Sequence, residues 1–162
     1  MNIFSFLLLP VLFAAALFFL LAALYFLLLI PRFRSPDCGA LMGYYYAHRG
    51  LHNLNEGVPE NSMKAFRLAV EKGYGIELDV QLSADGVPVV FHDNTLARMC
   101  GVNRRVRELT LAELKALSLG GTKEQIPTFQ EFLEMVDGRV PLIVEIKMEK
   151  WDARIPAAAN EL

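Results

Sequence analysis

Gly75-Ile76-Glu77-Leu78-Asp79-Val80-Gln81-Leu82 alternates strictly between apolar and polar side chains. A period of two predicts a β-strand with Ile76, Leu78, Val80 and Leu82 on one face and Glu77, Asp79 and Gln81 on the other. The apolar face can pack under helices, while the acidic face must meet something that attracts negative charge. Glu77 and Asp79 stand about 7 Å apart along such a strand. A divalent cation between them removes their repulsion and supplies an electrophile. Oxygen-only donors favour Mg²⁺ or Ca²⁺ over Zn²⁺, which would call for cysteine and histidine. Taken alone, Glu-x-Asp more often marks the solvated face of an antiparallel sheet. The design recurs, however, at Val140-Pro141-Leu142-Ile143-Val144-Glu145-Ile146-Lys147, where Glu145 and Lys147 share one face and Val144 and Ile146 the other. Glu145 is therefore the expected third ligand.

Working outward, Tyr44 to His48 and Val87 to His92 read as further strands, each ending in histidine and followed by a charged residue and a loop. A lone histidine at a strand end is usually a surface residue. Two in equivalent positions beside a carboxylate cluster make an acid-base pair, one taking a proton from an attacking oxygen and the other giving one to a leaving alcohol. The sequence leaves open which does which. Arg49 is placed to grip a phosphate bidentately, and Lys147 adds a point charge beside Glu145. His52 lies among Leu and Asn and reads as an ordinary loop residue. Asp93 either orients His92 or caps the loop Asp93-Asn94-Thr95, and the cap is favoured. Four strands bringing polar tips to one place is the arrangement of a barrel active site.

Helices are expected between the strands. Asn61 or Ser62 caps one running to about Lys72, and capping boxes at Thr110-Leu111-Ala112-Glu113 and Thr128-Phe129-Gln130-Glu131 open two more. The link Ala84-Asp85-Gly86 is short enough that the strands on either side also read as a hairpin, the main challenge to an all-parallel sheet.

The chain has 162 residues, a formal net charge of −2 and 54% hydrophobic residues, an excess concentrated at the N-terminus. Residues 3–30 carry no charge and give about 42 Å of helix, enough to cross a bilayer with tilt. No basic residue precedes this run and no small-residue cleavage site ends it, which favours an uncleaved anchor over a signal peptide. Arg32 and Arg34 follow it directly and place the C-terminal side in the cytoplasm. Residues 31–43 read as a linker and 44–162 as the folded domain. The two cysteines, Cys38 and Cys100, show no metal or redox spacing. The near-neutral charge gives no footprint for nucleic acid.

Ala47-His48-Arg49-Gly50, Pro59-Glu60-Asn61-Ser62, Glu77-Leu78-Asp79-Val80, Val90-Phe91-His92-Asp93, Ile126-Pro127-Thr128 and Glu145-Ile146-Lys147 resemble, in order, the motifs of the glycerophosphodiester phosphodiesterase family. The resemblance covers Tyr44 to about Lys150. It implies an α/β fold of the (β/α)8 TIM-barrel type, related to phosphatidylinositol phospholipase C, preceded here by one transmembrane helix. It further implies metal-dependent hydrolysis of glycerophosphodiesters to sn-glycerol 3-phosphate and an alcohol, with Ca²⁺ or Mg²⁺ bound. Carried over by motif, His48 and His92 are the acid-base pair, Glu77, Asp79 and Glu145 the metal ligands, and Arg49 and Lys147 phosphate contacts. Glu60 falls in the Pro-Glu-Asn motif as a further substrate-binding candidate.

Such barrels run to about 250 residues and eight strands, whereas only about the first four strands are expected here, so the domain reads as truncated. Two other functions follow from these features. The anchor suggests a lysophospholipase D acting on membrane lysophospholipids, and the missing strands suggest an inactive remnant that binds metal or phosphate.

Overall fold

The computed structural model describes residues 3–29 and 38–147. Most of the expected linker, the final residue of the expected anchor and the segment 148–162 lie outside the described residues. Two units are distinguished, residues 1–40 and 41–162.

The first unit contains α1 (Ile3–Leu29), a helix that runs through Pro10 and carries no charged residue. Its stretch Pro10–Leu28 is long and apolar enough to cross a membrane, by length and composition, and an N-terminal signal sequence has the same properties. A short helix, α2 (Gly39–Met42), follows.

In the second unit the elements run β1 (Tyr46–His48), α3 (Met63–Glu71), β2 (Gly75–Leu82), β3 (Pro88–Val90), α4 (Ala97–Cys100), α5 (Leu111–Lys115), α6 (Phe129–Val136) and β4 (Leu142–Ile146). The strictly alternating segment is the central strand. β1 and β4 flank β2 in parallel, with His48 opposite Glu77 and Asp79 opposite Glu145.

β3 corrects the expectation of four like strands, because it pairs with β2 antiparallel, Val80 facing Val90 and Leu82 facing Pro88. A parallel return needs a crossover of a dozen or more residues, and the link here is too short. Gly86 takes φ +81° at its tip, and the Ser83 hydroxyl both donates to Asp85 Oδ1 (2.6 Å) and accepts from the Val87 N–H (2.9 Å). The described sheet thus has three barrel-type parallel strands and one hairpin strand. Val80 is paired to β3 on one side and β4 on the other, so β3 shares an edge of β2 with β1. The two meet end to end along it.

Ile76, Leu78, Val80 and Leu82 are all buried, as their spacing predicts. Ile76, Leu78 and Val80 pack in one cluster with Phe66, Ala69 and Val70 of α3 and Phe129, Phe132 and Val136 of α6. Phe66 and Phe132 meet edge to face with centroids 4.6 Å apart. Ser62 caps α3 through the Ala65 N–H, and both expected capping boxes are formed at Thr110 and Thr128. A second apolar cluster, including Phe91, Leu96, Met99 and Leu114, sits beneath the loops after β3. With helices on the apolar face of β2, its polar face is left to build a site.

Candidate active site

Three carboxylates converge on that polar face. Glu77 and Asp79 project from β2 and Glu145 from the neighbouring β4, and one oxygen of each lies within 4.8 Å of the others. Asp79 is only 1% exposed. Its Oδ2 accepts from Asn61 Nδ2 at 3.0 Å. Lys147 Nζ stands 3.2 Å from Oδ1, close enough for an ion pair but outside hydrogen-bond geometry, so Oδ1 is a buried acceptor without a hydrogen bond. An all-oxygen donor set holding an unused buried lone pair fits a hard divalent cation. Glu145 is more exposed and accepts from Lys147 Nζ at 2.6 Å. Burial works against the charge on Lys147, but the hydrogen bond to Glu145 and the Asp79 carboxylate beside it outweigh this and raise its pKa above the ordinary lysine value.

β1 supplies the next groups. His48 ends the strand, 67% exposed at its side chain, with Nε2 3.8 Å from Glu77 Oε2. Arg49 continues the ladder by donating its backbone N–H to the Glu77 carbonyl (2.9 Å), then turns through a left-handed φ of +57°. The next residue must be glycine. Gly50 has φ +79°, and a Cβ there would lie 2.9 Å from Ala65 Cβ and Phe66 Cδ1. The turn aims the Arg49 guanidinium back over the carboxylates. Nη1 donates to Glu60 Oε1 at 2.9 Å, and Nε lies 3.5 Å from Asp79 Oδ2 without bonding to it. Asn61 also takes a left-handed φ, +52°, and donates its N–H to the Arg49 carbonyl. That left-handed turn, which asparagine adopts readily, sets its amide on Asp79.

His92 arrives from the opposite direction, past the end of β3. The Phe91 N–H donates to the Asp79 carbonyl, which sets His92 alongside the middle of β2 rather than beyond its tip. Gln81 Nε2 fixes this bend by donating to the carbonyls of Phe91 (2.8 Å), His92 (3.2 Å) and Asp93 (2.8 Å). Asp93 does not act as the loop cap favoured from sequence. Its Oδ1 lies 2.6 Å from His92 Nδ1, so it orients the ring. The physical reason is a partner unseen in the sequence pattern, Arg98, whose Nε and Nη2 reach Asp93 Oδ2 and Oδ1 at 2.7 and 3.1 Å.

Arg98 also bonds Glu60, through Nη1 to Oε2 (2.9 Å) and Nη2 to Oε1 (2.7 Å). Glu60 thus joins Arg98 to Arg49. Hydrogen bonds from Arg98, against the opposing effect of burial, hold both Glu60 and Asp93 below the ordinary carboxyl values of 4.5 and 3.8, with Arg49 and His92 contributing respectively. Because the folded carboxyls are the stronger acids, their contribution to stability is complete above those ordinary values and is lost as pH falls through the lowered ones. Thermal unfolding followed across the acid range is therefore expected to show a falling midpoint that is shallower in Glu60→Gln. An identical acid slope in both proteins would refute the linkage.

The structure brings Glu77, Asp79, Glu145, His48, Arg49 and Lys147 into one contiguous cluster, and ties His92 to it through Asp93, Arg98, Glu60 and Arg49. His52 is exposed in its loop, as expected. Sequence reasoning missed Arg98, Asn61 as a partner of Asp79, and Gln81. Gln81 had a signal, since it shares the alternation that exposed Glu77 and Asp79. Arg98 had none, being joined to Glu60 from 38 residues away.

Residues 48–160 match the sequence profile of the Glycerophosphoryl diester phosphodiesterase family. A glycerophosphodiester phosphodiesterase of Caldanaerobacter subterraneus subsp. tengcongensis is 44% identical over 123 residues, 72% of this chain and 49% of the relative. Human glycerophosphodiester phosphodiesterase 1 is 32% identical over 62% of this chain and 33% of its own length. The chain spans about a third to a half of the length of these curated relatives. Among solved structures, an Oleispira antarctica phosphodiesterase in complex with the product sn-glycerol-3-phosphate superposes with a TM-score of 0.65 at 35% identity, covering 73% of this chain and 50% of that one. A glycerophosphodiester phosphodiesterase from Thermotoga maritima gives 0.60 at 36% identity, covering 73% and 48%.

Proposed function

Because this chain belongs to the glycerophosphoryl diester phosphodiesterase family, we propose that its site hydrolyses glycerophosphodiesters to sn-glycerol 3-phosphate and an alcohol. The observation that carries the reading is the meeting of three carboxylate oxygens within 4.8 Å, beside two basic side chains that reach Asp79. Glu77, Asp79 and Glu145 would hold a divalent cation, Ca²⁺ or Mg²⁺ by the hardness of the donors. When bound, such an ion neutralises the carboxylates and polarises a phosphoryl oxygen.

The remaining steps belong to the chain's own side chains. Arg49 commits only Nη1 to a hydrogen bond with Glu60 among the described residues, which leaves guanidinium donors for a phosphate oxygen. Lys147, kept charged by its carboxylate neighbours, adds a second positive group. His92 presents Nε2 as its working nitrogen, since Nδ1 is engaged by Asp93. His48, more exposed and near Glu77, is the other half of the acid-base pair. One histidine takes the proton of the attacking oxygen and the other delivers one to the departing alcohol. Glu60 serves this set by joining Arg49 to Arg98 through its shared Oε1. The α1 helix is read as a single-pass anchor with the domain on the cytoplasmic side, a reading supported by its uninterrupted apolar length and by Arg32 and Arg34 after it.

The test is hydrolysis of glycerophosphocholine by the detergent-solubilised chain with Ca²⁺ or Mg²⁺. Release of sn-glycerol 3-phosphate and choline, abolished by chelation, is expected. No release with either cation would overturn the proposal.

A further inference from the structure

Arg98 lies outside the cluster of carboxylates and histidines, on the four-residue helix α4, yet it is the most heavily bonded side chain around the site. A guanidinium has five N–H donors. In Arg98, Nε reaches Asp93 Oδ2, Nη2 reaches Asp93 Oδ1 and Glu60 Oε1, and Nη1 reaches Glu60 Oε2 and the Met99 sulfur at 3.2 Å. All five are committed within the protein. A phosphate therefore finds no donor left on Arg98, although its side chain is 47% exposed.

Its two carboxylate partners face opposite sides of the chemistry. Asp93 Oδ1 is the atom that also meets His92 Nδ1, and Glu60 Oε1 is the atom that also accepts from Arg49 Nη1. One planar cation thus fixes both the imidazole and the phosphate-facing arginine through a single shared oxygen on each side.

We propose that Arg98 is a positioning residue: its fork clamps Asp93 against His92 Nδ1, selecting the Nδ1–H tautomer with Nε2 free, and ties that dyad through Glu60 to Arg49. The inference rests on the acid-base reading of His92 given above. A lysine cannot reproduce it, because an ammonium is a single point donor that cannot bond two carboxylates edge-on at once. Without Arg98, Asp93 keeps, among the described residues, only the imidazole as a side-chain partner. The ring then reverts toward the Nε2–H form of a free imidazole, which blocks the nitrogen needed for proton transfer.

The experiment compares the ¹⁵N-labelled full chain in detergent with Arg98→Met and Arg98→Lys by long-range ¹H–¹⁵N spectra of the histidine rings, alongside steady-state kinetics on glycerophosphocholine. The chain has three histidines, so His48 and His52 report in the same spectrum whether each variant keeps its fold. Expected are an Nδ1–H ring at His92 in the parent, a shift toward Nε2–H in Arg98→Met, and an intermediate state in Arg98→Lys. In parallel, kcat should fall roughly ten- to a hundredfold in Arg98→Met, the range typical of partners that orient a working group, with KM changed less than kcat. If Arg98→Met loses its native histidine shifts, Arg98→Lys decides. An unchanged His92 tautomer in the folded variants, or a rise in KM at constant kcat, would overturn the proposal. Absence of turnover in the parent, with the tautomer shift intact, would sink the hydrolase reading and uphold the clamp.

Discussion

Replacing His92 with alanine is expected to lower the rate of glycerol 3-phosphate release by about 10²–10⁴-fold, the usual contribution of a positioned general acid or base. The ring is outside both apolar clusters and is partly exposed, so its removal leaves the packing of the domain in place. Arg98 would still bridge Asp93 and Glu60. The loss should therefore appear in kcat with little change in thermal midpoint. His52→Ala serves as the control because the His52 side chain is exposed in its loop. Activity of His92→Ala within a few-fold of the parent would remove His92 from the chemistry.

The second large effect concerns the carboxylates. A cation that binds only the folded chain stabilises it by about 2.7 kcal/mol at a hundred times its Kd. For a domain of this size that corresponds to roughly a 10 °C rise in Tm. Calcium or magnesium titrated into the chain during thermal unfolding should show that rise, and Asp79→Asn should abolish it. The substitution keeps the side-chain shape but replaces the most buried of the three acids by a neutral amide, leaving Glu77 and the exposed Glu145 as the remaining charged members of the proposed ligand set. Turnover should fall by more than the roughly 10–100-fold typical of outer-shell changes, since here a ligand itself is altered. The metal-free stability of Asp79→Asn balances two opposed terms. Carboxylate repulsion is relieved, while Arg49 and Lys147 lose an ionic partner. Only the cation-dependent increment isolates binding, and an increment of equal size in the variant would defeat the assignment.

Those carboxylates were legible in the sequence because strand alternation is a local code. Glu77 and Asp79 two apart, and Glu145 in a second strand of the same design, predict a common face without knowledge of the fold. The capping boxes at Thr110 and Thr128 are equally local and formed as read. The direction of β3 was legible in part, because the short link through Asp85 and Gly86 already admitted a hairpin. Asp93 was misread for a different reason. Its carboxylate had a plausible neighbour in the loop, and the partner that outcompetes it, Arg98, gains its hold only when α4 is folded beside Glu60. Long, flexible side chains that meet across the tertiary structure leave no period and no spacing to count. The same is true of Asn61, which the sequence offered as a helix cap and which the fold assigns to Asp79, leaving Ser62 to cap α3.

The reversal of the chain at Asp85-Gly86 acts as a ruler for the chemistry. Because β3 runs back along the same edge of β2 that β1 climbs, the position of His92 along that edge relative to His48 depends on how many residues separate Leu82 from Pro88. A single added residue that shifted the register of β3 would slide His92 by about one strand step and swap the faces of Val89 and Val90, both fully buried, so it would disturb the apolar clusters along with the chemistry. The tip of that hairpin is solvent-exposed at Ala84 and Asp85, yet length variation in it is a lever on the spacing of the two proposed proton-transfer groups.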